Sequence, residues 1–401
     1  MELLAPAGGM AQLKAALRFG ADAVYGGLKR FGLRSAADNF SPDELREALA
    51  LVHGAGKRFY LALNILAYDE ELEALVSEAR QALEMGVDAA IVSDLGAFSL
   101  LRQQVPDLPL HVSTQANVMN AASAQVFAGM GAKRIVLSRE LSLRQISILR
   151  SQLPEDVQIE AFVHGAMCMS HSGRCMLSDY LTGRGANRGA CTQPCRWEYT
   201  ILEAKRPDDP MPVLEDERGT YIFSSFDLNM LDHLPEMKDA GIASLKIEGR
   251  MKTDYYVAVV TRVYRRALDL LACGEEAWHA ALPELREELL KCSHRLSNTG
   301  FYFGPPSPAS GAAKTMQTMI FAGKVLSSWD GMLQVEVKNR IAVGDRLEVL
   351  TPAGVHSLTV SRILREDTRE EMPVVTVAGT RVLIPATFAA GAGDFVRCPV
   401  R

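Results

Sequence analysis

The sequence predicts a TIM-type (β/α) barrel, complete or distorted, followed by a small all-β barrel domain. Three observations carry this reading. "FGADAVYGG", "MGVDAAIVSD", "MGAKRIVLSRE" and "AGIASLKIEGR" repeat one unit: a helix end, a glycine, a short linker and an apolar run. Eight such runs occur, and amphipathic stretches separate most of them, as a parallel barrel requires. After a segment rich in proline, glycine and alanine, the pattern changes to short strands with turns.

The strand candidates are "ELLAPA", "DAVYGG", "RFYLALNI", "AAIVSD", "LPLHVSTQ", "RIVLSRE", "VQIEAFVHG" and "ASLKIEGR". They are short, apolar and often β-branched, as buried parallel strands are. Gly20, Gly86, Gly131 and Gly241 fit the left-handed position that ends a helix. The helix from Ser41 opens with a serine cap, Pro42 at the first helical position and Glu44 at the third. The open doubly wound sheet is the competing architecture. The repeat breaks after the seventh strand, where a cysteine-rich segment (165–199) enters. "WEYTILEA" and "GTYIFSSFD" then read as a hairpin around a polar loop. Two helical stretches follow the eighth strand, "DYYVAVVTRVYRRALDLLACG" and "PELREELLKC". The expected domains are thus 1–303, a linker over 304–314, and a β domain over 315–401.

Composition narrows the function. The chain has 401 residues and a net charge of −5, which gives no global field for nucleic acid; any RNA contact rests on a local patch. No apolar run is long enough to span a bilayer. "MELLAPAGGM" carries neither a basic nor an apolar leader region, so a cytoplasmic protein is expected. Cytosolic thiols stay reduced, and clustered ones there bind metals or act in catalysis more often than they form disulfides.

Four of the seven cysteines fall within one stretch: Cys168, Cys175, Cys191 and Cys195, spaced C-x6-C-x15-C-x3-C. Thiolates bind soft metals, and four satisfy zinc or an iron–sulfur cluster. Zinc knuckles use C-x2-C pairs, and none occurs here. The wider, glycine-rich intervals suit a loop wrapped around something larger than one ion. Zinc, and reduced cysteines without a ligand, remain the alternatives. The segment leaves the C-terminal end of the seventh strand, the face on which TIM barrels build active sites.

Polar residues gather at the expected strand ends: Tyr25, Asn64, Asp94, His111, Gln115, Asn117, Arg139, Glu140, Glu160, His164, Glu248 and Arg250. Each alone also fits a helix cap or an ion pair. As a set they favour a site. His164 has the chemistry of a proton donor or acceptor, and period-two alternation places Glu160 on its face of the strand. "KIEGR" supplies Lys246, Glu248 and Arg250, the last suited to clamp a carboxylate. Glu160, His164 and Glu248 are therefore the catalytic candidates. No phosphate-binding glycine loop, H-E-x-x-H pair or G-x-S-x-G elbow is present.

"EAFVHGAMCMSHSGRCMLS" resembles the signature of peptidase family U32, a group named for collagenase-like members. "CTQPCRWEY", "LKIEGRMKTDYY", "VEVKNRIAVGDRLEVLTP" and "ADAVYGG" with "FGLR" extend the resemblance over nearly the whole chain. Within the family it is similar to the tRNA-hydroxylating branch. The resemblance implies hydroxylation of C5 of the wobble uridine to 5-hydroxyuridine, with prephenate as co-substrate and no molecular oxygen. It also implies a 4Fe–4S cluster, matched here by Cys168, Cys175 and Cys191, with Cys195 fourth. Some relatives take their fourth cysteine from the stretch corresponding to "SSFDLNML", which has none here. A dianionic co-substrate calls for arginines, and Arg139, Arg174 and Arg250 are the candidates on charge.

A tRNA anticodon loop presents unstacked bases to aromatic side chains. Tyr180, Trp197 and Tyr199 are candidates for stacking, and "TRVYRRALD" for phosphate contacts, with core packing and a solvated basic helix as their simpler accounts. A partner protein for cluster delivery or electron transfer is compatible with this scheme; a membrane is not. The competing functions are a collagenase-like peptidase, and a hydroxylase or assembly subunit acting on ribosomal RNA or another substrate. The C-terminal β domain favours an RNA-directed protein over the short relatives in ubiquinone synthesis, which by resemblance lack it.

Overall fold

The computed structural model describes residues 1–400 apart from 35, 169, 198–200, 204–205, 212–214, 217–218, 221–225 and 306–314. Eight parallel strands form a closed barrel: β1 (Glu2–Pro6), β2 (Ala23–Gly26), β3 (Arg58–Leu63), β4 (Ala89–Val92), β5 (Leu110–Val112), β6 (Arg134–Val136), β7 (Gln158–Ala166) and β8 (Ser244–Ile247). Each pairs with its sequence neighbour, and β8 closes the ring by pairing with both β7 and β1. The doubly wound alternative is thereby excluded.

Helices α1 (Met10–Arg18), α2 (Pro42–Gly54), α3 (Asp69–Met85), α4 (Leu95–Gln104), α5 (Ala121–Gly129) and α6 (Leu143–Arg150) connect the first seven strands. Their local signals are those read from the sequence. Ser41 and Glu44 exchange hydrogen bonds in a capping box at α2. Gly20, Gly86, Gly131 and Gly241 all have positive φ, between 79° and 101°, where a side chain would be strained. A short α7 (Leu177–Thr182) lies in the cysteine segment. Then α8 (Leu234–Asp239) leads into β8, and α9 (Asp254–Cys273) and α10 (Glu275–Leu289) follow it.

Three details differ from expectation. Ile201–Glu203 pairs with Arg206–Met211, so its antiparallel partner lies within the anticipated polar loop. The shorter loop costs less closure entropy; 198–200 and 221–225 of the expected hairpin fall outside the described residues. Second, α10 begins eight residues before Pro283. Its stripe of Trp278, Leu282, Leu285 and Leu289 is buried, which offsets the bond that the proline removes. Third, Asp227–Asn229 adds antiparallel to the end of β7 and carries Ser297–Asn298 beside it.

The C-terminal unit is antiparallel: β9 (Met319–Trp329), β10 (Met332–Val337), β11 (Arg346–Leu350), β12 (Val355–Thr359), β13 (Arg381–Pro385) and β14 (Phe395–Pro399) share one sheet with Leu364–Arg365. It has its own apolar core, including Val325, Val335, Val349 and Val382. Most of the expected linker, 306–314, lies outside the described residues. The unit docks on α1, α9 and α10. Arg397, fully buried, forks onto Glu288 at 2.6 and 2.9 Å, and Phe321 stacks on Tyr255. Among the described residues no helix is long and apolar enough to cross a membrane.

Candidate active site at the barrel mouth

The C-terminal mouth of the barrel opens into a cavity of about 400 Å3. Its floor is Phe162 of β7 and Lys246 of β8, with Ala62, Ile91 and Val136 on the apolar side. Its rim carries Tyr25, Arg34, Asn64, Gln115, Arg139, Glu248 and Arg250. The cysteine segment folds over the opening, and Cys168, Cys175, Cys191 and Cys195 all line the same cavity.

Glu248 is the electrostatic centre. Its carboxylate lies 3.3 Å from Arg139 Nη2 and 3.5 Å from Arg34 Nη2. Burial pushes its pKa up, but Arg34, Arg139 and Arg250 together hold it below the usual carboxylate range. Arg139 also donates to the Ala166 carbonyl at 2.9 Å and lies over the Phe162 ring, 3.6 Å from its centroid. Arg250 is 3% exposed and donates to Asn39 Oδ1 at 2.5 Å. Burial pulls its pKa down to about 10. Two glycines make room for this arrangement. A Cβ at Gly27 would lie 2.5 Å from Arg250 Nη2, and one at Gly165, where φ is 109°, 2.5 Å from the Glu248 carbonyl.

Two of the four thiols accept backbone hydrogen bonds. The Leu177 amide donates to Cys175 Sγ at 3.3 Å and the Gln193 amide to Cys191 Sγ at 3.4 Å. N–H···S bonds of this kind are among the groups that tune a bound cluster. Glu248 raises the Arg34 pKa, against burial, with Tyr25, Cys168 and Cys191 acting in the same direction. The donor set and the nearby cation therefore fit an anionic iron–sulfur group. Among the described residues no three His, Cys, Asp or Glu side chains already stand in metal-ligating positions.

Three of the site candidates read from the sequence lie elsewhere. Glu160 is fully buried below the cavity. It accepts from Lys246 Nζ at 2.7 Å and Arg134 Nη1 at 3.0 Å, and Ser244 links it to Glu2. Burial raises its pKa, yet Lys246 and Arg134 outweigh that and bring it down to about 2. It is a structural ion pair at the base of the barrel. His164 does not share its face, because β7 bulges between Phe162 and His164 in its pairing with β8. The extra residue reverses the alternation. The imidazole packs against Tyr256 and Tyr264 of α9, behind the wall, and burial lowers its pKa to about 4. Arg174 is exposed, outside the cavity lining, and donates to the Gln115 carbonyl at 2.8 Å.

Other strand-end residues take the simpler roles. Asp94 caps α4, and His111 lies below the floor, edge-on to Tyr60. Glu140 accepts from the amide and hydroxyl of Ser172. The "TRVYRRALD" arginines are committed: Arg262 to the Thr351 carbonyl, Arg265 to Asp22 and Asp269, Arg266 to Glu284. They form no free basic face. Tyr180 is 86% exposed and Trp197 44% exposed within the cysteine segment. Tyr199 falls outside the described residues. Arg34 was missed: it sits in an irregular loop after β2, where periodicity is silent. Its signal was the "FGLR" segment, which it closes.

A closed parallel barrel, capped at its catalytic end by a cysteine-bearing segment and extended by an antiparallel β unit, defines a TIM-barrel protein with a thiol-lined, cation-rich candidate site. The chain belongs to peptidase family U32: the family model matches residues 8–311, and that of the family's C-terminal domain matches 317–397. Among its relatives, "tRNA hydroxylation protein P" of Escherichia coli (strain K12) is 36% identical over 96% of this chain and 93% of that protein. A 23S rRNA 5-hydroxycytidine synthase of the same organism is 34% identical over 87% of this chain and 52% of that protein. A "Collagenase" of Porphyromonas gingivalis is 30% identical over 96% of this chain and 94% of that protein.

Proposed function

We propose that this protein is an RNA hydroxylase acting on tRNA, converting C5 of the wobble uridine to 5-hydroxyuridine with prephenate as co-substrate. Its 4Fe–4S cluster is held by Cys168, Cys175, Cys191 and Cys195. One observation carries the reading: all four cysteines line the cavity that also contains Arg34, Arg139, Glu248 and Arg250. Four thiols of the type that bind soft metals and a set of arginines thus line one enclosure at the C-terminal end of the barrel. Bound there, a cluster supplies one-electron chemistry.

The chain's own groups have separable tasks. Arg139 and Arg250 bind and orient an anionic co-substrate. Glu248, ionised between the arginines, fixes their positions and offsets part of their charge. The apolar side of the cavity and the overlying cysteine segment exclude water from the reacting base. Tyr180 and Trp197, exposed within the cysteine segment, offer surfaces on which an extruded base stacks.

The tRNA reading is favoured over ribosomal RNA because this chain spans 93% of the tRNA hydroxylation relative but 52% of the ribosomal one. If all four clustered cysteines serve as ligands, no evident nucleophile remains for a peptidase. The experiment is mass spectrometry of tRNA nucleosides from a deletion strain. Loss of 5-hydroxyuridine-derived nucleosides, restored by the wild-type chain, supports the reading. Unchanged nucleosides in a strain without a paralogue end it.

A further inference from the structure

The cysteine segment meets the barrel on two sides of the mouth. One anchor lies beyond β5 and β6. There Gln115 Nε2 donates to the Gly173 carbonyl at 3.2 Å, Arg174 Nε donates to the Gln115 carbonyl at 2.8 Å, and the amide and hydroxyl of Ser172 donate to Glu140. The other anchor is the tripeptide Asn187-Arg188-Gly189, which meets the loop after β2 and the β3–α3 connection. Arg188 forks onto Glu71 at 2.7 and 3.0 Å, donates to the Leu66 carbonyl at 3.1 Å and lies over the Tyr68 ring, 4.2 Å from its centroid. The Leu66 amide donates to the Asn187 carbonyl at 3.4 Å. Gly189 has a φ of 89°, and a Cβ there would lie 2.6 Å from the Gly32 carbonyl oxygen, so this close approach needs glycine.

Between these anchors the segment is tied to itself. Asn187 Oδ1 accepts from the Cys175 amide at 3.1 Å, and its Nδ2 donates to the Cys175 carbonyl at 3.2 Å. One side chain thus holds both backbone polar groups of a cysteine. Ser178, fully buried, donates to the Arg184 carbonyl at 2.7 Å and accepts from the Thr192 amide at 3.0 Å, beside Cys191. The segment therefore behaves as one unit, and what fixes Asn187-Arg188-Gly189 also fixes where Cys175 and Cys191 stand. The same tripeptide touches the connection that carries Arg34: a Cβ at Gly189 would also lie 3.4 Å from Leu33.

We propose that Asn187-Arg188-Gly189 is a clasp that seats the cysteine segment on the barrel: Arg188 and Gly189 fix it to the β2 and β3 loops, and Asn187 passes that position to Cys175. Asn187 and Arg188 are positioning residues, acting through the cysteines. The inference rests on the cluster reading only for its iron readout. The two residues carry different weight. Asn187 makes two hydrogen bonds to the backbone of a ligand candidate, and its loss removes both. The Arg188 and Glu71 side chains are 34% and 23% exposed, so solvent screens their attraction, and the fork and the Tyr68 ring retain part of it.

Two measurements on the full chain test this. In the first, protein purified without oxygen is mixed with an iron chelator and the loss of its visible absorbance is followed. Asn187→Leu is expected to release iron about 10- to 100-fold faster, the scale of two hydrogen bonds. Arg188→Ala is expected to release it about 2- to 5-fold faster, the scale of a partly exposed ion pair. Arg188→Lys, which keeps the charge and loses the fork, falls between Arg188→Ala and wild type. In the second, cluster-free protein is labelled with iodoacetamide and the cysteines are read by mass spectrometry. Labelling of Cys175, measured against exposed Cys273, is expected to quicken in both variants, more in Asn187→Leu. Iron release and Cys175 labelling both unchanged in a normally melting Asn187→Leu protein overturn the clasp. Faster labelling of buried Cys292 as well marks general loosening and also counts against it. Should Asn187→Leu not fold, Arg188→Ala decides: unchanged Cys175 labelling refutes the clasp. A wild-type chain that holds no iron sinks the cluster reading, and the labelling ratio alone then upholds or refutes the clasp. A wild-type cluster whose release neither variant alters keeps the cluster reading and sinks the clasp.

Discussion

Arg139 reaches from the end of β6 to Glu248 beyond β8, its Nη2 3.3 Å from the carboxylate, with its guanidinium over Phe162 between them. This contact spans the mouth of the barrel and joins the anion-binding side to the strand that carries "KIEGR". Replacing Glu248 by Gln removes the counter-charge that holds Arg34 and Arg139 in place. The variant is expected to fold and to lose about 100-fold or more in hydroxylation rate, since small misplacements of positioning groups cost that much. Single-turnover assays on tRNA measure it.

Glu160 separates structural from catalytic burial. Its pKa of about 2 lies below the value near 4.3 of an unfolded glutamate. Its contribution to stability is therefore present above about pH 4.3 and lost as pH falls toward 2. Glu160→Ala leaves Lys246 and Arg134 buried without their partner and is expected to cost about 3–5 kcal/mol. Denaturant titration reads the loss.

His164→Phe addresses the other displaced candidate. The folded imidazole has a pKa of about 4, below the unfolded value near 6.5. The unfolded chain binds the proton first, so this group's stability contribution falls between about pH 6.5 and 4. The variant should flatten the pH dependence of stability in that window and leave the pH profile of the reaction unchanged. A lost limb in the rate profile would return His164 to the catalytic set.

Gly27→Ala places a methyl 2.5 Å from Arg250 Nη2, against the mobile end of a side chain rather than backbone. The guanidinium is expected to shift, weakening prephenate binding by about 10- to 100-fold with a small change in melting temperature. Calorimetry and thermal denaturation on the same sample read both.

Much of this was legible in the sequence because it rests on local chemistry. Gly20, Gly86, Gly131 and Gly241 mark helix ends through a conformation that other residues enter at a cost. Ser41, Pro42 and Glu44 mark a helix start through hydrogen bonds three residues apart. The cysteines, Arg139, Glu248 and Arg250 reached one cavity because each follows a strand end, and strand ends converge in a barrel. The failures came from depth and phase. Glu160 stands near the start of β7, so its strand carried it to the base rather than the mouth. His164 lies beyond a bulge, which the alternation rule does not foresee. Arg34 sits in a connection with no period to read.

The central claim, that Cys168, Cys175, Cys191 and Cys195 hold an iron–sulfur cluster at this mouth, is tested most directly by iron and acid-labile sulfide analysis of protein purified without oxygen. The account predicts about four of each per chain, lost in Cys191→Ala together with tRNA hydroxylation, and unchanged in Cys273→Ala, whose thiol lies at the end of α9. Stoichiometric zinc without sulfide, disulfides pairing the four thiols, or full activity in Cys191→Ala would contradict it.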